Sequence, residues 1–324
     1  MAELDVHDSP ETNSSAEVPR KSLSEYLEQF DAMKKDDFFD GPRYRVGYSV
    51  LGEGPPLYIV QGICCTRRLY ASLAVELAEH FRVVLYDLAG VGDGDGADMR
   101  AYHLDDYPRD LFALADHVGD RTFGVIGNSF GTTVTVRAMV AEPSRIPRAM
   151  LCCGFSRRPL TWFERLTIRM FGYMPGRLWS VPLANAISRY NHGPELDRRE
   201  KGLTEFLIVE SGRTPTRTAA AQALAVDATD LSSFKPRLQQ PVLIFHGEQD
   251  RLVHPKHAAE LAAGIENVHL MMVPGCGHIP QLSHPELMAR RAAIFSTPCS
   301  TASCPGAEVC QLATDNCGHP HHAD

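Results

Sequence analysis

Between residues 44 and 153 the chain alternates between two kinds of hydrophobic segment. Residues 57–60, 83–86, 122–128 and 148–153 are short, almost wholly apolar and bounded by polar or turn residues, as strands buried on both faces are. Residues 69–81, 107–118 and the stretch following Ser129 have helical length and spacing, although the last is rich in β-branched residues that form helices poorly. Residues 44–51 alternate polar and apolar, which predicts a further strand before the Gly52-Glu-Gly-Pro-Pro turn. Upstream, Leu23, Tyr26, Leu27 and Phe30 recur at helical spacing after a possible Ser22 cap, so residues 22–39 read as a short amphipathic helix. Strands alternating with helices predict an α/β fold with a mostly parallel, doubly wound sheet. Ligand sites in such sheets lie beyond the C-terminal strand ends, where Gln61-Gly62, Asp87, Ser129 and Gly154 fall.

From residue 157 to 233 the alternation stops. This stretch is helix-like, with breaks expected at Gly172, Pro175, Gly193-Pro194 and Gly212. It carries Trp162, Phe163, Ile168, Phe171, Tyr173, Met174, Trp179, Ile187, Tyr190, Phe206 and Leu207. Packing as a helical subdomain accounts for most of them; an inserted cap over the strand ends would put some in a pocket, and Trp162 and Trp179 are its candidate substrate-binding residues. The strand–helix pattern then resumes: strands at 241–246 and 268–273, helices at 257–263 and 285–295. The expected organisation is a core of residues 22–156 and 234–296, a helical cap of 157–233, and tails of 1–21 and 297–324. The first tail is rich in Asp, Glu, Ser and Pro, a composition that cannot offset the entropy of ordering, so it is expected to be disordered.

Composition changes this picture little. The chain has 324 residues, 44% hydrophobic and 22% charged, ordinary for one large α/β unit carrying an insertion. A net charge of −8 gives no reason to expect a nucleic-acid partner. No apolar run reaches the ~18–20 residues of a membrane span, and no membrane partner is expected. The N-terminal residues lack the basic and apolar regions of a secretory signal, so a cytoplasmic location is expected. Nine cysteines, an odd number, suggest reduced thiols rather than a disulfide framework. Cys152 and Cys153 end an apolar run and read as packing residues; for Cys64 and Cys65, packing and a place facing the pocket both stand. Cys299, Cys304, Cys310, Cys317, His319, His321 and His322 in the second tail could hold zinc, but no C-x2-C spacing is present. A flexible tail is expected there, with no metal. Gly90, Gly92 and Gly94 lack the G-x-G-x-x-G spacing and the acidic ribose partner of a dinucleotide site, so a plain loop is expected.

The candidate chemistry centres on Gly127-Asn128-Ser129-Phe130-Gly131, a G-x-S-x-G sequence between a predicted strand and a predicted helix. A serine on such a turn is thrust out with its Oγ exposed. A serine hydroxyl is a weak nucleophile and needs a neighbouring base. Downstream, His246-Gly-Glu-Gln-Asp250 and Gly275-Cys-Gly-His278 each follow a predicted strand. His278 would take the Ser129 proton, and Asp250 would orient and stabilise the imidazole. His246, His254 and His284 read as structural, since none follows the last strand so directly.

With Asp87-Leu-Ala-Gly-Val-Gly-Asp93 and then the Gly-Asn-Ser-Phe-Gly, His-Gly-Glu-Gln-Asp and Gly-Cys-Gly-His sequences in this order, residues 44–295 resemble the α/β-hydrolase superfamily. The resemblance implies a Ser129, Asp250, His278 triad and an oxyanion hole made by the backbone amides of Ile63 and Phe130. Many relatives carry His-Gly where this chain has Gln61-Gly62, which leaves backbone donors intact but alters the loop's own bonding. The resemblance implies a serine hydrolase acting on a small-molecule ester, lactone or thioester, with no cofactor. Alternatives are a C–C hydrolase, acyltransferase or haloperoxidase-like enzyme of the same fold, or a ligand-binding protein without catalysis. An aspartate in place of Ser129 would instead have implied a dehalogenase or epoxide hydrolase. Oligomeric state is not readable from the sequence.

Overall fold

The computed structural model describes residues 20–94 and 102–296. The expectations for residues 1–19 and for the cysteine- and histidine-bearing segment after residue 296 lie outside the described residues. Eight strands form one sheet: β1 (Lys35–Asp40), β2 (Arg45–Leu51), β3 (Pro56–Val60), β4 (Arg82–Tyr86), β5 (Gly124–Asn128), β6 (Ala149–Cys152), β7 (Val242–Gly247) and β8 (Val268–Val273). Their order across the sheet is β1-β2-β4-β3-β5-β6-β7-β8. The pairings of β1 with β2 and of β2 with β4 are antiparallel; from β4 to β8 every neighbouring pair is parallel.

The helices are α1 (Leu23–Met33), α2 (Ala71–Leu77), α3 (Asp106–Val118), α4 (Phe130–Ala141), α5 (Trp162–Gly172), α6 (Pro182–Arg199), α7 (Leu203–Gly212), α8 (Thr216–Asp227), α9 (Lys256–Ala262), α10 (Pro280–Ser283) and α11 (Pro285–Ser296). Alternate residues of each central strand point to opposite faces. Tyr58, Val60, Val84, Val125 and Ile244 join one buried cluster with Leu111, Val134 and Leu261 of α3, α4 and α9. Leu57, Ile59, Val83, Ile126 and Leu243 join another with Phe30, Leu73 and Met288 of α1, α2 and α11. The sheet is thus covered on both faces, which is why its inner strands read as unbroken apolar runs. Helix α4 is buried nearly all round, and this burial outweighs the poor propensity of its threonines and valines.

Three local expectations are corrected. The helix expected over residues 22–39 ends at Met33, after a Ser22–Glu25 capping box, and β1 follows it. The sequence Lys35-Asp-Asp-Phe-Phe-Asp gave no strand signal because β1 is an edge strand, exposed apart from the half-buried Phe39, where charge is tolerated and discourages further pairing. The helix expected over 69–81 is instead a 3-10 turn at Arg67–Tyr70 followed by the shorter α2. The break expected at Gly193-Pro194 does not occur, since α6 runs through it. Pro194 lacks the N–H that would bond the carbonyl four residues back, and Arg251 Nη1 bonds that Tyr190 oxygen at 3.2 Å.

Helices α5 to α8 all lie between β6 and β7 in sequence, and α6, α7 and α8 contribute residues to the cavity that Ser129 lines. None of the described helices is long and apolar enough to cross a membrane.

Candidate active site

Ser129 sits where β5 gives way to α4, with φ 52° and ψ −114°. A non-glycine residue held in such a conformation costs about 1–3 kcal/mol, and the close packing around it keeps the turn in place. The Ser129 amide donates to Cys152 O at 2.8 Å. A Cβ at Gly131 would overlap the Val60 carbonyl, and one at Gly127 would overlap the Thr135 hydroxyl and the Gly131 carbonyl. Those two glycines let the helix approach the sheet closely enough to expose the serine.

The loops after β7 and β8 bring the two downstream candidates to it. His278 Nε2 lies 3.0 Å from Ser129 Oγ, and His278 Nδ1 lies 2.7 Å from Asp250 Oδ2. A carboxylate only accepts, so Nδ1 carries the proton and Nε2 presents a lone pair to the serine hydroxyl. Asp250 Oδ1 accepts from the Leu252 and Val253 amides at 2.9 and 2.7 Å. Burial works to raise the Asp250 carboxyl, but the charge and hydrogen bond of His278 and the Val253 amide offset it, and the group is held below the usual carboxylate range. His246 stands behind this pair: its Nε2 is 2.9 Å from Val253 O and 3.6 Å from Asp250 Oδ2. His254 and His284 make local bonds, to the Lys256 amide and the Ser283 hydroxyl.

Phe130 is the first residue of α4, so its amide has no partner within the helix. Ile63 follows β3 and lines the cavity above Ser129. Among the described residues neither amide donates to a protein acceptor. The flanking residues are pinned: the Gly62 amide donates to Tyr70 Oη at 3.0 Å, Tyr70 Oη donates to Asn128 Oδ1 at 2.8 Å, and the Cys64 amide donates to Gln222 Oε1 of α8 at 2.8 Å. Gln61 is fully buried. Asp87 and Arg67, joined Nε to Oδ2 at 2.8 Å, anchor the glycine-rich loop rather than face the serine.

The cavity above Ser129 holds about 350 Å³. Phe155, Leu178, Ile187, Leu207, Ile208, Val226 and Ile279 give it apolar walls, and α6 adds polar side chains. Cys64 and Cys65 also line it, a place that sequence left open. Burial pushes both thiols up to about 12, so they stay protonated and are poor nucleophiles.

The expectation for the tryptophans is corrected. Neither lines this cavity; Trp162, at the start of α5, is 74% exposed, and Trp179 borders a separate surface cleft with Arg177 and Val209. Helix α5 buries none of its side chains, so its aromatic residues are not subdomain core either. Of the large apolar cap residues singled out above, Ile187 and Leu207 reach the cavity. Sequence reasoning missed Tyr70, Gln222 and His192; each reaches the site from an element whose own pattern reports only a helix, so no local signal marked them.

A model of the alpha/beta hydrolase fold matches residues 55–285, and the chain belongs to that family. A pimeloyl-[acyl-carrier protein] methyl ester esterase of Nitrosospira multiformis is 27% identical over 243 residues, spanning 73% of this chain and 92% of its own. A 2-hydroxy-6-oxononadienedioate/2-hydroxy-6-oxononatrienedioate hydrolase of Pseudomonas putida is 27% identical over 262 residues, spanning 74% and 87%. Among solved structures, the enol-lactonase of Burkholderia xenovorans LB400 superposes with a TM-score of 0.71 at 22% identity, over 79% of this chain and 98% of its own. That likeness concerns the fold.

Proposed function

We propose that the protein is a serine hydrolase that cleaves a small ester, lactone or thioester through an acyl-enzyme on Ser129. The observation that carries this reading is the continuous relay from Asp250 through His278 to Ser129 Oγ, with distances of 2.7 and 3.0 Å, at the floor of the cavity. Ser129 Oγ attacks the carbonyl carbon while His278 Nε2 takes its proton. The carbonyl oxygen becomes an oxyanion, for which the Phe130 and Ile63 amides are the candidate donors. Collapse of this intermediate expels the alcohol or thiol, which leaves with the proton from His278. Water then attacks the acyl-enzyme with His278 again as base, releasing the acid and restoring Ser129.

The esterase and hydrolase names of the relatives support this class. The apolar walls favour a compact hydrophobic acyl group. A fluorophosphonate probe with peptide mapping tests the reading: labelling at Ser129, lost in Ser129→Ala, together with turnover of short-chain esters, is the expected result. Folded protein that takes no label and turns over no ester would leave a ligand-binding role in its place.

A further inference from the structure

Helix α6 turns Asn185, Ser188, Asn191 and His192 toward the cavity. Their spacing puts them on one side of the helix. Leu207 and Ile208 of α7, with Ala184 and Ile187 of α6 itself, give the same cavity apolar lining. The lining therefore carries a polar stripe as well as apolar surface, and a substrate that merely needed hydrophobic burial would not require the stripe.

His192 is the most buried of the polar set, 7% exposed, and its ring lies 5.8 Å from that of His278 at an interplanar angle of 30°. Nδ1 is buried without a hydrogen-bond partner, and among the described residues no protein group bonds the ring. Burial first, then the nearby His278, holds its pKa down at about 3 against the opposing pull of Asp250, so the imidazole is neutral. A neutral imidazole offers one N–H and one lone pair. Nδ1 is closed off, so Nε2, which also has no protein partner among the described residues, is the atom left to bond a polar group on a bound substrate.

The reaction geometry says which part of the substrate that is. The leaving oxygen or sulfur must come to His278 Nε2 to receive its proton. A ring stacked on His278 stands beside the departing group rather than beside the acyl chain. We infer that His192, with the α6 stripe, forms a subsite for a polar leaving group: an alcohol or thiol bearing a hydroxyl, amide or carbonyl within a few bonds of its reacting atom. The inference rests on the acyl-enzyme reading at Ser129 and deepens it, by assigning the polar stripe to the leaving-group half of the substrate.

The test compares 2-hydroxyethyl butanoate with propyl butanoate, nearly equal in size and differing in one hydroxyl. His192→Phe keeps a flat ring against His278 and removes both nitrogens. It should lower kcat/KM about tenfold more for the hydroxyethyl ester than for the propyl ester, the effect of one lost hydrogen bond. His192→Gln, which restores a donor and an acceptor, should recover much of that difference. Should the Phe variant fail to fold, Asn191→Ala on the same stripe should show a smaller loss of the same sense. Equal losses on both esters, with a displaced pH profile, would mean that His192 only supports His278, and would overturn the subsite. Ser129 labelled by fluorophosphonate without any discrimination between the two esters would also overturn it while leaving the hydrolase reading intact. No label and no turnover in the wild type would remove both.

Discussion

The hydroxyl of Tyr70 donates to Asn128 Oδ1 at 2.8 Å, directly beside the nucleophile. The same oxygen accepts from the Gly62 amide at 3.0 Å. One buried hydroxyl thereby ties the loop after β3, which carries the Ile63 amide, to the turn that carries Ser129. Tyr70→Phe removes both bonds and leaves the Gly62 amide and Asn128 carbonyl without their partner. A misplaced oxyanion donor acts on the transition state more than on ground-state binding. The expected result is a fall in kcat of at least tenfold with KM changed little, and a stability loss of about 1–3 kcal/mol. Steady-state kinetics on a short-chain p-nitrophenyl ester and chemical denaturation check the two parts.

Ser129 and His278 should behave as one unit. Ser129→Ala and His278→Ala are each expected to lower kcat by roughly 10³-fold or more, with the double variant little worse than either. Losses that multiply would show that the 3.0 Å contact between them is not used in the reaction.

The cavity walls set the acyl preference. With p-nitrophenyl esters, kcat/KM should rise over short acyl chains by up to ~0.8 kcal/mol per methylene and then fall when the roughly 350 Å³ cavity is full. Ile208→Ala should move the optimum to longer chains. Trp162→Ala should leave the profile where it was, because that ring is 74% exposed and does not line the cavity. A shift of the optimum in the tryptophan variant would reverse the assignment.

His192 gives stability a pH dependence whose sign follows from proton counting. Its pKa falls from 6.5 to about 3 on folding, chiefly through burial. Between those values the unfolded chain binds a proton there that the native protein refuses, so stability drops as pH falls below 6.5 and the contribution is fully restored above it. Asp87, Asp110 and Glu195, whose carboxyls burial raises, act in the opposite sense at lower pH. Comparison with His192→Gln cancels them. Relative to that variant, the wild type should lose about 2 kcal/mol between pH 7 and pH 5, measured by urea denaturation. Parallel stability curves would show that His192 charges freely in the native state.

The chain's linear pattern determined the parts of this molecule that depend on local rules. Unbroken apolar runs gave the buried parallel strands, because both faces of the sheet are covered. The residues Ser129, Asp250 and His278 were legible because each follows a strand, and a strand's C-terminal end delivers its loop to one common rim. Tertiary structure alone decided what depends on contacts between distant segments. It made Lys35–Asp40 an edge strand by supplying β2 as partner. It kept α6 continuous through Pro194 by lending Arg251 to the freed carbonyl. It brought Ile187 and Leu207 to the cavity and left Trp162 away from it. Helical spacing says which residues share a face, but the neighbour that each face meets is fixed by how the helices pack over the sheet. For the same reason His192 and Tyr70, 63 and 59 residues from Ser129 in sequence, could be found only where the fold brings them.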